Sequence, residues 1–102
     1  MIRKIEENGF ETEKEAGVSV VAFSAQWCPP CKVMTPIYEE AAARFPEIRF
    51  LKADQEDVPG FFQRFGVQSI PTYVVLKEGK EVHRKVGAMP SSKFQAMLGL
   101  YS

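Results

Sequence analysis

A Trp-Cys-Pro-Pro-Cys-Lys segment at residues 27–32 holds both cysteines of this 102-residue chain. It follows an apolar run at residues 18–23, which predicts a strand covered on both faces, and it precedes a stretch with helical periodicity. A Cys-x-x-Cys between a strand and a helix is typical of a dithiol redox site. Amides and the dipole at a helix start lower the pKa of the first thiol, and the second thiol is near enough to close a disulfide.

The composition narrows the class of protein. A length of 102 residues predicts a single domain, residues 1–102, built on one core. Thirteen Lys and Arg balance thirteen Asp and Glu, which gives no support for binding to nucleic acid or to an anionic membrane. No apolar run approaches the ~20 residues of a membrane span, and the charged N-terminus lacks the apolar stretch of a secretory signal. We therefore expect a cytoplasmic protein.

Strand and helix patterns alternate along the chain. Predicted strands cover residues 2–5, 18–23, 48–53, 72–77 and 81–86, and predicted helices cover residues 10–16, 29–45, 58–65 and a segment after residue 90. The last two strands flank Glu78-Gly79 and predict an antiparallel hairpin. This order predicts an α/β fold, with a central mixed sheet of about five strands flanked by about four helices.

The helix that follows the cysteines contains a proline. Its predicted buried residues recur at the helical period: Met34, Ile37, Tyr38, Ala41 and Phe45. Pro36 has no amide donor, so it either kinks one helix or separates two short ones. We favour one kinked helix that ends before Pro46.

The element order and several separated landmarks resemble the thioredoxin family over nearly the whole chain. Phe23 and Ala25 precede the Trp-Cys-x-Pro-Cys-Lys motif, and Pro36 stands where the family carries its kinking proline. Ile70-Pro71-Thr72 resembles the cis-proline segment that lies opposite the dithiol in this family. Further landmarks are Asp54 at the end of a strand, Gly79 in the hairpin and Val86-Gly87-Ala88 before the last helix. The resemblance implies the thioredoxin fold.

The resemblance also implies a thiol-disulfide oxidoreductase that reduces protein disulfides by dithiol exchange. Cys28, expected at the helix N-cap and partly exposed, is the nucleophile that forms a mixed disulfide with the substrate. Cys31, expected one turn into the helix and more buried, resolves it. The implied partners are disulfide-containing client proteins and an electron donor of the thioredoxin-reductase type. The implied processes are electron transport and cell redox homeostasis. We expect a monomer without cofactor or metal, since two cysteines and the distant His83 are too few for a zinc site.

A substrate-binding surface around Cys28 follows from the same resemblance. Its expected members are Trp27, Ile70, Pro71, Gly87 and Ala88. Pro71 is expected to be cis and to lie against the dithiol, so that the Ile70 backbone is presented to an extended substrate like an added strand. Trp27 has a second interpretation, as a packing residue that covers the start of the helix.

Three features depart from the family pattern. The usual Gly-Pro between the cysteines is Pro29-Pro30, and a common aromatic residue before the motif is Ser24. The buried acid of many thioredoxins and its lysine partner are replaced by Ala22 and Phe50. Because both members are absent together, neither leaves an unpaired charge in the core. Water or the leaving thiolate is then left to accept the proton of the resolving cysteine.

Pro29, Pro30 and Lys32 are expected to tune the site. Two prolines remove two amide donors from the first helical turn, which leaves the Cys28 thiolate with the amide of Cys31 and, as a second candidate, that of Lys32. Fewer donors stabilise the thiolate less and favour a reducing pair. Pro29 equally fits the first helical position, where proline is common. The Lys32 side chain either supports the thiolate or simply faces solvent.

Two other functions fit the same residues. A specialised thiol carrier like tryparedoxin also has two prolines between its cysteines, although such proteins are usually longer. A non-catalytic binding module with a thioredoxin fold is the other alternative, and the intact cysteine pair argues against it.

Overall fold

The computed structural model describes residues 2–6 and 16–102, and these contain five strands and three helices. The elements are β1 (Ile2–Lys4), β2 (Val18–Ser24), α1 (Pro29–Arg44), β3 (Arg49–Asp54), α2 (Pro59–Arg64), β4 (Thr72–Lys77), β5 (Lys80–Val86) and α3 (Ser91–Gly99). Each matches a predicted element to within two residues at its N-terminal end. The fourth predicted helix, over residues 10–16, falls almost wholly outside the described residues.

The five strands form one mixed sheet in the order β1-β3-β2-β4-β5. β3 pairs in parallel with β1 and with β2, whereas β4 is antiparallel to both β2 and β5. β2 therefore lies at the centre, and all its residues from Ser19 to Ser24 are buried. This confirms the sequence prediction, since an apolar run without alternation indicates a strand covered on both faces.

Successive side chains of β2 supply two different cores because they point to opposite faces of the sheet. Val20 and Ala22 belong to the core under α1 and α3, where Tyr38, Phe50 and Phe94 are also buried. The other face packs against α2. There the Phe23 ring lies 5.5, 5.0 and 5.6 Å from the rings of Phe61, Phe62 and Phe65, respectively. Phe62 is buried, and Phe61 and Phe65 are half-buried and pack against this core, in agreement with their helical spacing.

α1 is one continuous helix with Pro36 inside it, so the alternative of two short helices is wrong. Proline removes the amide that would bond the carbonyl of Lys32, four residues earlier. Both residues are exposed, which leaves that carbonyl accessible to water. The buried stripe of the helix faces the sheet, and its innermost members are Met34, Tyr38 and Ala41.

The chain reverses between β4 and β5 in a two-residue turn. Glu78 and Gly79 have φ values of 51° and 80°. Two successive positive φ values are what a tight hairpin turn with the strand twist requires, and a glycine at the second position accommodates one of them. The predicted antiparallel hairpin is thereby confirmed. No helix among residues 2–6 and 16–102 is long and apolar enough to cross a membrane.

Candidate active site

The two cysteines lie where β2 gives way to α1. Cys28 is the N-cap residue of α1, with extended backbone (φ −92°, ψ 108°), and Pro29 and Pro30 are the first two helical residues. Cys28 and Cys31 form a disulfide with their Cα atoms 5.3 Å apart. The backbone N–H of Cys31 donates a hydrogen bond to Cys28 Sγ over 3.3 Å. The predicted N-cap position of Cys28 is therefore confirmed, and the sulfur occupies the place of a capping oxygen.

Neither sulfur-bearing residue is exposed in this oxidised form. Cys28 is 2% exposed and Cys31 is 8% exposed, so the expectation of a partly exposed Cys28 and a more buried Cys31 is wrong for this form. Ala25, directly after β2, and Ile70, before β4, pack against the pair. The disulfide holds the Cys28 side chain against α1, and Ala25 and Ile70 pack on the cysteine pair.

The first turn of α1 offers few amides to the Cys28 sulfur. Pro29 and Pro30 have none, and the amide of Lys32 donates to the Cys28 carbonyl oxygen over 3.2 Å. Lys32 therefore does not serve as the second thiolate donor suggested by the sequence. Cys31 supplies the one main-chain bond to the sulfur among these residues. Pro29 lies at the position that proline tolerates best, because that amide has no partner within a helix.

The peptide bond between Ile70 and Pro71 is cis, as expected. Pro71 is buried, and its carbonyl accepts a hydrogen bond of 2.8 Å from the amide of Gly87, whose φ is 97°. This bond joins the loop before β4 to the loop after β5. Ile70, the residue before the cis bond, packs against the cysteine cluster. The two loops thus meet at the end of the sheet where the disulfide lies.

Several apolar side chains near the disulfide are exposed to solvent. Trp27 is 65% exposed, which does not fit its second interpretation as a packing residue. Ala88 is exposed and Gly87 is half-buried. Val86 at the end of β5 is also exposed, as is Val33 on α1, which is not among the residues predicted from the sequence. Val33 had a detectable signal, since it is an apolar residue outside the buried stripe of α1.

A cavity of about 170 Å³ lies between α1 and the sheet, beside Cys31. The residues that line its wall include Ala22, Ser24, Cys31, Tyr38, Glu39 and Lys52. Two of them, Ala22 and Ser24, are small residues at positions where the family often carries larger ones. The space beside Cys31 is therefore bordered by two of the departures seen in the sequence. Lys52 also lines this wall and is not among the residues predicted from the sequence, because the resemblance places the family's lysine at Phe50.

The buried acid of this region is Asp54, which is 4% exposed. Ser24 Oγ donates to Asp54 Oδ1 over 3.0 Å. Lys4 Nζ lies 3.4 Å from Asp54 Oδ2, and Lys52 Nζ lies 3.8 Å from Asp54 Oδ1. Lys4 also pairs with Asp57 at 2.8 Å, and hydrogen bonds to Asp57 and then Asp54 raise the pKa of Lys4. A carboxylate this deeply buried is stable because it is paired and hydrogen-bonded.

Tyr38 is a buried phenol on the wall of this cavity. Its hydroxyl donates to the carbonyl of Leu51 over 2.6 Å and lies 3.0 Å from that of Val20. Burial, followed by the influence of Tyr73, raises the pKa of Tyr38 well above its usual value. Burial likewise raises the pKa of Tyr73. Both phenols are therefore neutral near pH 7.

Comparison with known proteins agrees with this geometry. A family model described as Thioredoxin matches residues 2–99. The chain belongs to the thioredoxin family. A thioredoxin of Chlamydia muridarum is 41% identical over 87 residues, which cover 85% of each chain. A thioredoxin H-type of Fagopyrum esculentum is 42% identical over 80 residues, 78% of this chain and 69% of that one. A thioredoxin of Staphylococcus aureus is 37% identical over 98 residues, 95% and 94% of the two chains.

Membership in the thioredoxin family fits both the fold and the site. The family match agrees with three observations: the five-stranded mixed sheet, the Cys-x-x-Cys at the start of α1, and the disulfide between its cysteines. The chain is a thiol-disulfide oxidoreductase of the protein-disulfide reductase type, and it acts by dithiol exchange. The double proline between the cysteines and the cavity beside Cys31 are the features of this site that bear on its chemistry.

Proposed function

We propose that this thioredoxin-family protein reduces client disulfides with Cys28 as nucleophile and Cys31 as resolving residue. The Cys28 thiolate attacks one sulfur of the client disulfide, and the other client sulfur leaves as a thiolate. The Cys31 thiolate then attacks Cys28 Sγ and expels the second client thiolate. The client gains two electrons, and this protein is left with its Cys28–Cys31 disulfide, the form described above. The observation that carries the assignment is the N-cap position of Cys28.

The order of the two cysteines follows from the helix start. The N-cap sulfur accepts the Cys31 amide and faces the positive end of the dipole of α1, and both favour a thiolate at Cys28. Cys31 is already helical and lies on the buried side of α1. A thiol there is suited to attack a neighbour within the same turn rather than a separate protein.

A docking surface for the client is proposed at the same end of the sheet. It consists of Trp27, Ile70, Pro71, Gly87 and Ala88. The exposed indole of Trp27 precedes Cys28 directly, and Ile70 packs on the cysteine pair. The bond between Gly87 and Pro71 holds the two loops in a fixed relation. An extended client segment that lies along these loops has its disulfide presented to Cys28.

The scarcity of amides at Cys28 favours a reducing role. With a single main-chain donor, the thiolate is stabilised less than at a helix start with free amides at several positions. A reducing protein of this kind must be re-reduced after each turnover. We propose an electron donor of the thioredoxin-reductase type, a cytoplasmic location and a monomeric state without a cofactor.

Reduction of insulin by dithiothreitol tests the function. The wild-type protein is expected to accelerate insulin precipitation, and Cys28→Ser is expected to abolish the effect. A non-catalytic binding module would give no acceleration at all. Supplying NADPH and a thioredoxin reductase instead of dithiothreitol distinguishes a general reductase from a specialised carrier like tryparedoxin, which this donor would not support.

The roles of the two cysteines are tested by trapping. Cys31→Ser is expected to accumulate mixed disulfides with clients through Cys28, because the resolving thiol is gone. Cys28→Ser is the matched control and should trap none. Equal trapping by the two variants would contradict the assignment. Titration of the wild-type pair against defined thiol buffers gives its potential, and a value near that of the strong periplasmic oxidases would overturn the reducing role.

A further inference from the structure

The cis-proline loop, residues 66–71, connects α2 to β4 outside regular secondary structure. Its Ile70 packs on the cysteine pair, and the cis bond follows directly. Gly66, Gln68 and Ser69 are exposed, so the loop has little core of its own. A segment of this kind keeps one shape only where neighbouring elements hold its backbone. The contacts that hold this loop therefore bear on the docking surface.

Arg84 on β5 holds the start of this loop. Its Nη2 donates to the carbonyl oxygen of Phe65, the C-cap residue of α2, over 2.6 Å. The last carbonyls of a helix have no partner within the helix, and a basic side chain is a suitable donor for them. A charged donor also makes a stronger bond than a neutral one. Arg84 thereby fastens the end of α2 to β5.

Glu81 orients the guanidinium of Arg84. Nε of Arg84 lies 2.8 Å from Oε2 of Glu81, and Nη2 lies 2.9 Å from Oε1. Both side chains are about one-third exposed, so this ion pair by itself adds little to the stability of the fold. Its two parallel bonds fix the plane of the guanidinium, and in that plane Nη2 reaches the Phe65 carbonyl as well.

A β-bulge on β5 brings Glu81 and Arg84 together. Residues three apart in a regular strand point to opposite faces of the sheet. The register between β4 and β5 shifts between Val75 and Leu76, where β5 has one extra residue. Glu81 lies opposite Leu76, and Arg84 lies opposite Val74. Both of these β4 residues belong to the core on the α2 side, so the bulge turns Glu81 to the face that Arg84 occupies.

β5 and its following residue hold the cis-proline loop at both ends. Arg84 fastens its start, and the amide of Gly87 donates to the Pro71 carbonyl over 2.8 Å at its end. Between these points, the Thr72 hydroxyl donates to the Ser69 carbonyl over 2.6 Å. The sequence carries no local signal for the first of these contacts, because it depends on the bulge and on the placement of α2.

We propose that Arg84 is a positioning residue for client docking, which holds the start of the cis-proline loop so that the Ile70 backbone is ready to receive an extended client segment. It acts through the loop and not by contact with the cysteines. A loop that is already ordered in its binding conformation loses less freedom on docking and therefore binds more tightly. The inference rests on the proposed docking surface.

The first test measures the order of the loop in the wild-type protein and in Arg84→Gln. Amide order parameters from ¹⁵N relaxation should fall over residues 67–70 from about 0.85, typical of rigid backbone, towards about 0.6, while those of β2 stay unchanged. Lys80→Gln is the matched control, because it removes the same charge from the exposed first residue of β5. It should leave the order parameters of the loop as they are.

The second test measures the kinetics of insulin reduction. Arg84→Gln should raise KM for insulin about threefold and leave kcat unchanged, because binding is weakened and the chemical step is not. Arg84→Lys should raise KM similarly, since an ammonium keeps the charge but lacks the planar fork that bonds Glu81 and Phe65 together. Lys80→Gln should keep the wild-type KM. A loss of folding stability alone would not move KM at a temperature where thermal melts show every variant to be folded.

Three outcomes overturn the inference. One is a loop in Arg84→Gln that is as ordered as in the wild type. Another is a raised KM in Arg84→Gln with a wild-type KM in Arg84→Lys, which would mean that charge and not position matters. The third is a mobile loop with a wild-type KM, where Ile70→Ala does raise KM. Failure of the docking surface itself looks different: Ile70→Ala would then keep the wild-type KM, whatever residue stands at position 84.

Discussion

Ala22 on β2 lies in register with Lys52 on β3, and both residues line the cavity beside Cys31. The resemblance to thioredoxins placed the missing cation at Phe50, which is indeed buried in the core, with its ring 5.2 Å from that of Tyr38. Lys52 is two residues further along β3 and therefore faces the same side of the sheet. An acid at position 22 would therefore have a cation on the neighbouring strand, although Phe50 stands where the resemblance places the family's lysine.

The position of Lys52 opposite Ala22 bears on the stability of the Ala22→Asp variant. Burial disfavours the charged form of the new carboxyl, so the variant should lose about 1–2 kcal/mol of unfolding free energy at pH 7. The loss should shrink at pH 4, where more of the carboxyl is protonated in both states. Urea unfolding at the two pH values measures this. A variant as stable as the wild type at pH 7 would contradict it.

Lys52 should soften that loss. In a double-mutant cycle, Lys52→Gln should cost about 0.5–1 kcal/mol more in the Ala22→Asp background than in the wild type, because it removes a partly exposed partner of the new carboxylate. Lys4→Gln provides the matched comparison and should show no such coupling. Identical costs of Lys52→Gln in both backgrounds would argue against a contact across the cavity.

The two prolines of the motif should differ in their influence on Cys28. An N-cap side chain accepts from the second or third helical amide, and Cys31 already supplies the third. Pro30→Ala restores the second amide and should make the pair more oxidising, by up to about 30 mV if the thiolate gains the equivalent of one pH unit. Pro29→Ala restores only the first amide, which does not reach the cap, and should have a smaller effect.

Equilibration with dithiothreitol buffers measures both potentials, with Trp27 fluorescence as the readout. A larger change for Pro29→Ala than for Pro30→Ala would restore the view that Pro29 is what distinguishes this site from other thioredoxins. The comparison is matched because each variant replaces one proline by the same residue in the same helical turn.

The sequence predicts most of the fold because the signals involved are local. β4 runs from Thr72 to Lys77 as expected, since a run of β-forming residues is bounded by a proline and a tight turn. α1 was located from its apolar period and from the motif at its start. The family resemblance predicts the cis bond before Pro71. The junction between the apolar run and the helical pattern predicts the position of both cysteines at the start of α1.

The rest depends on contacts between distant segments. Ile70, 42 positions after Cys28, packs on the disulfide and contributes to the burial of Cys28, and no local pattern reports that contact. The cavity arises only when β2 and β3 are paired in one register and α1 is laid across them. The sequence alone does not predict which face of the sheet Lys52 occupies, because a register shift of one residue would turn its side chain to the other face.

The buried phenols should make the protein sensitive to alkali. The pKa of Tyr38 and that of Tyr73 are raised by burial, so the unfolded chain loses these protons near pH 10 while the folded chain keeps them. Stability is therefore complete below pH 10 and falls as the pH rises above it, by up to about 1.4 kcal/mol per pH unit for each phenol.

Tyr38→Phe isolates one of these contributions. At pH 7 it should cost about 1 kcal/mol, because the hydrogen bond to the Leu51 carbonyl is lost. Between pH 10 and pH 11 it should lose stability more slowly than the wild type, since one titrating phenol is gone. Urea unfolding at pH 7, 10 and 11 checks both parts. Parallel declines in the two proteins would show that Tyr38 does not contribute to alkaline unfolding.

Trp27 should matter for protein substrates and little for small ones. Its side chain is 65% exposed beside Cys28, and exposed aromatic residues at contact sites commonly contribute more than 1 kcal/mol to binding. Trp27→Ala should therefore lower kcat/KM for insulin about tenfold, equivalent to about 1.4 kcal/mol, while the rate with DTNB changes less than twofold. Leu100→Ala is the control, because Leu100 is 71% exposed but lies just after α3, outside the docking surface. If both variants reduce insulin equally well, the indole is not part of the client contact, and Ile70 with the loop at Gly87 must suffice.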